Sequence, residues 1–230
     1  MNRATANWLF YTPLVIIYVL FVRTGFTWGS GPLDAAVDML GFILALVGVT
    51  IRIISREWKP VHKPKGLVTS GPYSVVRNPM YIGSFLIGLG FCVIIGNLPF
   101  LAFYTVSYIV IHALVVKQEE RYLAEQFPEE YAEYRATVHA WIPSPRALIR
   151  ELGNKKGFIY SWRRATAREL DPLCGALAGS FALEAREDYL VQGWSVAQME
   201  ITVCLALTAL VIAARIICSI GPVRKYLVSH

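Results

Sequence analysis

The chain has 230 residues, 55% of them hydrophobic and 17% charged, and 22 Lys and Arg against 16 Asp and Glu give a net charge of +6. A water-soluble domain of this length carries more charge, and here the apolar residues are gathered into long runs, so an integral membrane protein is expected. The basic excess is read as topology, because Lys and Arg collect in cytoplasmic loops, and no nucleic-acid partner is expected.

The first apolar run, residues 8–22, follows Arg3 and could pass for a signal peptide. No small-residue cleavage site follows it, only Arg23-Thr24-Gly25-Phe26, so it reads as a retained span. A second span is expected at 33–54, with Asp34 and Asp38 in its first turns and Arg52 near its end, as the helix dipole favours. The loop 55–78 holds Arg56, Lys59, Lys63, Lys65 and Arg77 against the single acid Glu57. That loop is expected in the cytoplasm, with the short 23–32 loop outside.

Residues 80–116 contain no Lys, Arg, Asp or Glu. About 20 apolar residues cross a bilayer, so this run is too long for one span. It divides at 96-GNLP-99, a turn signal, into helices at 80–95 and 98–116. The first is short, which implies a close-packed hairpin or local thinning of the bilayer.

The segment 117–195 differs in kind, holding eleven basic residues and most of the acids. Residues 118–143 read as two helical pieces broken at Pro128, and 157–170, with Phe158, Trp162, Arg163, Arg164 and Arg168, as a helix in the membrane interface. The patch 172-PLCGALAGSFAL-183 is too short to cross. A last span is expected at 196–220, with Glu200 and Arg215 able to snorkel. It would put Arg224 and Lys225 outside, against the charge rule. The fold class is therefore all-α, a polytopic helical membrane protein of about five spans with a cytosolic pocket. Three parts are expected: N-terminal spans at 1–57, a core at 58–145, and interfacial helices with the last span at 146–230. Cys92, Cys174, Cys204 and Cys218 lie in apolar segments without a CxxC pair, so neither a disulfide framework nor a metal site is expected.

The chemistry-bearing residues fall at two places. Between Glu57 and Glu119 there is no carboxylate, and then Glu119 and Glu120 arrive together at the cytoplasmic end of the fourth span. The stretch 66-GLVTSGPYSVVRNPMYIG-83 lies at the cytoplasmic end of the third. A hairpin of these two spans brings Arg77 to the glutamate pair, a cation and an anion that suit a zwitterion. Their pairing with each other is the simpler alternative. Gly71-Pro72-Tyr73 and Asn78-Pro79 fix the backbone twice within this stretch, and Tyr73 and Tyr81 bracket Arg77 with flat surfaces for stacking. A solvated linker gains nothing from such rigidity. His112, seven residues before Glu119, shares its helix face. An ionisable group inside a span marks a candidate functional position, and the alternative is a histidine satisfied by a neighbouring backbone. Arg52 reads as a snorkelling residue or as a contact for an acceptor anion. The Trp162-Arg163-Arg164 patch reads as a headgroup anchor.

GPYSVVRNPMYIG, then about 35 mostly apolar residues, then EERYLAEQFPEEYAEYRATVHAWIP resembles the isoprenylcysteine carboxyl methyltransferase family of integral membrane enzymes. Related enzymes in that group methylate phospholipid amines or small thiols. The resemblance covers roughly residues 60–145. Arg77, Tyr81 and Gly83 match its first motif, and Glu119, Glu120, Phe127, Tyr131 and Tyr134 its second. It implies S-adenosylmethionine as cofactor, bound at the cytosolic face. Glu119 or Glu120 would hold the methionine ammonium, and Arg77 an anion, either the cofactor carboxylate or an acceptor carboxylate. The backbone from Val68 through Gly71, Pro72 and Tyr73, with Asn78 and the tyrosines, would shape the adenosine pocket. Two positions depart from the pattern: Asn78 stands where the family has His, and Pro128 where Gly follows Phe. Asn cannot titrate near neutral pH, so the acceptor is left open.

Methyl transfer needs acceptor, methyl and sulfur in line and dry. A carboxylate acceptor needs no base, whereas a thiol or amine does, and His112 is the candidate. The acceptor is expected to be a membrane lipid or other amphiphile entering from the bilayer. Residues beyond 145 are expected to flank its path or to build a homodimer contact. A nicotinamide-dependent membrane reductase and a non-enzymatic assembly factor are the rival readings, and the paired glutamates disfavour a phosphate-rich cofactor. The bacterial inner membrane and the endoplasmic reticulum remain alternative locations.

Overall fold

The computed structural model describes residues 32–62 and 66–153, with the backbone alone at 57 and 59–62, and isolated helical positions between 189 and 213. The expected span at 8–22, the interfacial helix at 157–170, the patch at 172–183 and most of the last span at 196–220 lie outside the described residues. Among the described residues the secondary structure is entirely helical: α1 (Pro32–His62), α2 (Pro72–Val75), α3 (Pro79–Ile95), α4 (Leu98–Gln126), α5 (Pro128–Thr137) and α6 (Pro145–Gly153). Two of these, α1 and α4, are long and apolar enough to cross a membrane, and α3 is a shorter apolar helix.

Both long helices outrun the spans expected from hydropathy. α1 continues past 54 to His62, and α4 past 116 to Gln126. The end of an apolar run marks where the bilayer ends, not where the helix does. Lys, Gln, Glu, Arg and Leu after residue 116 are good helix formers, so the helix continues into water. At 29 residues, α4 is about 43 Å long, against a hydrocarbon core of about 30 Å. Glu119 and Glu120 stand on the part of it that runs past the apolar stretch.

α1 and α3 pack antiparallel through glycines spaced seven residues apart on each helix. Gly41 meets Gly90 and Gly48 meets Gly83. A Cβ added to Gly48 would sit 2.5 Å from the Gly83 carbonyl oxygen, and one on Gly83 2.6 Å from the Gly48 oxygen. Backbone therefore touches backbone, the kind of contact that joins helices where lipid offers no hydrophobic driving force. Ala45 and Val49 fill the seam between the glycines, with Ile53, Ile87 and Phe91 around them. Arg52 donates to the Ser84 hydroxyl across the same seam.

The turn between α3 and α4 falls at the expected Gly-Asn. Gly96 takes the left-handed conformation at φ 66° and ends α3. The Asn97 side chain then caps α4 by accepting from the Phe100 amide at 2.9 Å. The inner face of α4 repeats every four residues: Phe100, Tyr104, Tyr108, His112 and Val116 are all buried. Tyr104 donates to the Phe85 carbonyl at 3.1 Å and Tyr108 to the Tyr81 carbonyl at 2.7 Å, fastening α4 to α3. The opposite face exposes Val106, Ile109, Val110 and Leu114, as α1 exposes Leu40, Ile43 and Val47. A helix with an apolar outer face suits a lipid surround.

Candidate active site

The loop between α1 and α3 is held on two sides. Gly71 has φ +61°, a conformation that glycine adopts without strain. It lies flat on the Trp58 indole, with no room there for a Cβ. The indole N–H of Trp58 donates to the Ser70 hydroxyl at 3.0 Å. Pro72 opens α2, and Tyr73, Val68 and Trp58 form a small buried cluster. Tyr73 donates to the Ser55 carbonyl at 3.3 Å and accepts at its own carbonyl from Tyr134 at 2.7 Å. Val68, Gly71 and Tyr73 thus form the buried underside of the loop, wedged between α1 and α5.

Arg77 and Glu120 meet as the hairpin requires. Nε and Nη2 of Arg77 donate to Oε1 of Glu120 at 3.1 and 2.9 Å. Nη1 donates to the carbonyls of Arg135 and Val138 at 3.1 and 2.8 Å, and the backbone N–H to the His139 carbonyl at 2.9 Å. The expected cation for a ligand anion is therefore largely committed to the protein, with four of the five guanidinium N–H groups engaged. A guanidinium placed at the carbonyl end of α5 also complements that helix's dipole. Arg77 ties α3, α4 and α5 together at one point. Beside it, Asn78 Nδ2 donates to the Ala140 carbonyl at 3.2 Å. Asn78, where the resemblance implies a histidine, thus binds the same 138–140 segment as Arg77.

The second glutamate has a separate arrangement. Tyr81 OH donates to Oε1 of Glu119 at 3.0 Å. The Tyr81 ring meets His112 edge-on at 5.4 Å and lies 6.4 Å from Trp141. His112 is buried, stacks on Tyr108 at 3.7 Å, and bonds the Tyr108 carbonyl through Nδ1 at 3.0 Å. A carbonyl only accepts, so Nδ1 carries the proton and, in the neutral ring, Nε2 carries the lone pair. Glu119, Tyr81 and His112 form one connected unit where the apolar run of α4 gives way to charged residues.

Tyr131 and Tyr134 pack with Leu67 beneath this unit. The Tyr131 hydroxyl is buried and lies against the Glu120 carboxylate but outside hydrogen-bond geometry, so it makes no hydrogen bond. Burial first, and then the Glu120 charge, push its pKa up to about 12, with Arg77 and Arg135 opposing. Burial likewise raises Tyr134, against the pull of Arg77. Both phenols are neutral donors at physiological pH. Tyr134 also borders a cleft of about 730 Å³ between α5 and α6, with Thr69, Ser74, Thr137, Ser144 and Arg150.

All the site residues chosen from sequence lie along this loop, on α3, at the outer half of α4 or on α5. Trp58, Ser55, Tyr108 and Trp141 were missed. The four-residue repeat of aromatics on α4 was a readable signal for Tyr108. Trp58 had none, because hydropathy placed it in a loop. Among the described residues, no group of three His, Cys, Asp or Glu could hold a metal ion.

The phospholipid methyltransferase family model matches residues 38–130, which run from α1 through the hairpin into α5. The chain is 31% identical over 150 residues to the cobalt-zinc-cadmium resistance protein CzcN of Cupriavidus metallidurans, covering 62% of this chain and 69% of that one. It is 34% identical over 77 residues to the protein-S-isoprenylcysteine O-methyltransferase of Schizosaccharomyces pombe, covering 34% of this chain and 33% of that enzyme. With the Xenopus laevis enzyme of the same name the identity is 29% over 153 residues, 61% of this chain and 49% of that one. No solved structure matches the chain. The matched segment contains the first motif, the hairpin and the second motif as far as Phe127, and the chain belongs to the family of membrane methyltransferases that includes the phospholipid and isoprenylcysteine enzymes.

Proposed function

We propose that the chain is an S-adenosylmethionine-dependent methyltransferase acting on an amphiphile that reaches it from the bilayer. The observation carrying this reading is the Glu119–Tyr81–His112 unit at the edge of the membrane, beside the Arg77–Glu120 pair. The donor set suits the cofactor: a carboxylate for an ammonium, and the aromatic faces of Tyr81 and Trp141 for a sulfonium cation. When bound, the cofactor supplies a methyl carbon on a positively charged sulfur, open to displacement in line.

The residues of the chain do the rest. Glu119, oriented by Tyr81, receives the ammonium. Arg77 is a positioning residue that fixes Glu120 and the end of α5 rather than a cation for the ligand. Thr69, Ser74 and Tyr134 border a cleft large enough for a nucleoside. The apolar faces of α3 and α4 exclude water. For a thiol or amine acceptor, Nε2 of His112 would take the proton that the acceptor gives up on methylation. A carboxylate acceptor dispenses with that step.

Calorimetry of the purified protein with S-adenosylhomocysteine, followed by labelled methyl transfer into a lipid extract, tests the proposal. Binding of S-adenosylhomocysteine and a labelled lipid-soluble product, both lost in Glu119→Gln, are expected. Absence of both from the wild type overturns the reading, and NADPH binding in their place would favour the reductase. The likeness to a metal-resistance protein extends the proposal to tolerance of divalent metals. Growth on zinc and cadmium that does not differ between hosts expressing the wild type and Glu119→Gln would reject that extension.

A further inference from the structure

α6 is built with three separate faces. Ser144 caps it, its hydroxyl accepting from the Ala147 amide at 3.4 Å, while its own N–H donates to the Val75 carbonyl at 2.9 Å. Glu151, two turns on, accepts from the Ser74 hydroxyl at 3.1 Å. That face is docked on α2. Arg146 and Arg150 lie on a second face, along the cleft. The third face carries Leu148, Ile149 and Leu152, which are 44%, 72% and 73% exposed, and Ile142 just upstream is 70% exposed. Positions 148, 149 and 152 share one side of a helix at 3.6 residues per turn. Scattered exposed apolar residues are ordinary, but a contiguous stripe on a nine-residue helix is a candidate docking surface.

The charge beside the stripe indicates that occupant. Arg146 and Arg150 stand on α6 beside the stripe, against Glu151 as the one acid of the helix, with Glu130 and Glu133 of α5 across the cleft. Glu151 lies 3.6 Å from Arg150 but is also held by Ser74. An apolar stripe flanked by basic residues matches the boundary of an anionic leaflet. Trp141, just before the helix, contacts Tyr81 near the start of α3, so the segment begins at the level where that membrane helix enters the loop. The apolar outer faces of α1 and α4 already assign that level to lipid.

We infer that α6 is an interfacial helix that lies in the headgroup layer of an anionic leaflet, with Leu148, Ile149 and Leu152 toward the acyl chains. Its docked face is hydrogen-bonded to Val75 and Ser74, and the preceding segment binds Arg77 and Asn78 through the carbonyls of Val138, His139 and Ala140. Lipid contact at α6 therefore bears on the loop that carries the candidate active site. This inference concerns docking and stands whether or not the chain transfers methyl groups.

The test uses the full chain in nanodiscs of phosphatidylcholine alone or mixed with phosphatidylglycerol. A nitroxide at Ile149→Cys or Leu152→Cys, with the four native cysteines replaced by Ala, is expected to collide more with oxygen than with a water-soluble nickel chelate. A label open to the nickel chelate places the stripe in water and overturns the inference. A label shielded from both reagents means that another part of this chain, or a second copy, covers the stripe, and overturns it equally. Hydrogen exchange of the unlabelled wild type gives an independent reading. Protection of 145–153 should rise with phosphatidylglycerol, and each of Arg146→Gln and Arg150→Gln should reduce the gain about fivefold, the effect of roughly 1 kcal/mol per basic residue. Protection indifferent to phosphatidylglycerol would reject the anionic leaflet as the partner.

Discussion

Arg77→Ala separates a clamp from a ligand group. In the structure the guanidinium makes two bonds to Glu120 and one to each of two carbonyls near the end of α5. The two side chains are 10% and 20% exposed, so their pairing is worth more than a surface ion pair and less than a fully buried one. Exposed pairs contribute about 0–1 kcal/mol and breaking a buried pair costs about 3–5. The position between these limits gives about 2 kcal/mol for the pair, and two part-exposed bonds to carbonyls add about 1 more. A loss of about 3 kcal/mol corresponds to a fall in Tm of roughly 6–12 °C for a chain of this size. The assay is thermal unfolding in nanodiscs, repeated for Glu120→Ala and for the double variant. A clamp predicts a coupling energy of about 1.5–2 kcal/mol between the two positions, so that the double variant is less destabilised than the sum of the singles. It also predicts that S-adenosylhomocysteine affinity falls no further in Arg77→Ala than in Glu120→Ala. A variant with unchanged Tm, no coupling to Glu120, and a selective loss of cofactor affinity would refute the reasoning and return Arg77 to the role of ligand cation.

Other changes have equally direct outcomes. Gly48→Ala puts a Cβ 2.5 Å from the Gly83 carbonyl and forces the α1–α3 seam apart, at a cost of about 1–3 kcal/mol readable as a lowered Tm. Ala at an exposed position such as Ile43 is the control and should shift it little. Tyr131→Phe removes a buried hydroxyl that lacks a hydrogen bond, so thermal stability should hold or rise by up to about 1 kcal/mol, and a clear fall would contradict the geometry. The folded Tyr131 pKa lies above its unfolded value of 10, so the folded state keeps a proton that the unfolded state loses. Its contribution is complete below pH 10 and is lost as pH rises toward about 12, and Tyr131→Phe should flatten that decline. His112→Ala should abolish transfer to a thiol or amine while leaving S-adenosylhomocysteine affinity within about threefold. Retained transfer at full rate would mean a carboxylate acceptor or another base.

Much of the hairpin was legible because its signals are local. The Gly96-Asn97 turn, the break at Pro128 and the approach of Arg77 to the glutamate pair all followed from composition and hydropathy. The partners of Arg77 beyond Glu120 were not legible. They are backbone carbonyls from residues 135 and 138, and a carbonyl leaves no trace in residue identity. The glycines of the α1–α3 seam are visible at seven-residue spacing in the sequence, but the pairing of 41 with 90 depends on an inter-helix register that no single helix encodes. Trp58 was hidden for a different reason: hydropathy reports the membrane boundary, and α1 runs through it. The stripe on α6 was overlooked because it spans barely two turns, too short for a periodicity to stand out.

The unequal lengths of α3 and α4 have one more consequence. Joined by a tight turn on one side, the 17-residue and 29-residue helices end at different heights on the other, offset by about 18 Å. The chain folds α5 back under that overhang, so the start of α3 is roofed by protein, and no residue of α3 is fully exposed. Glu119 and Glu120 stand near that overhang and meet Tyr81 and Arg77 at the start of α3, so the height of the site is set by how far α4 outruns α3.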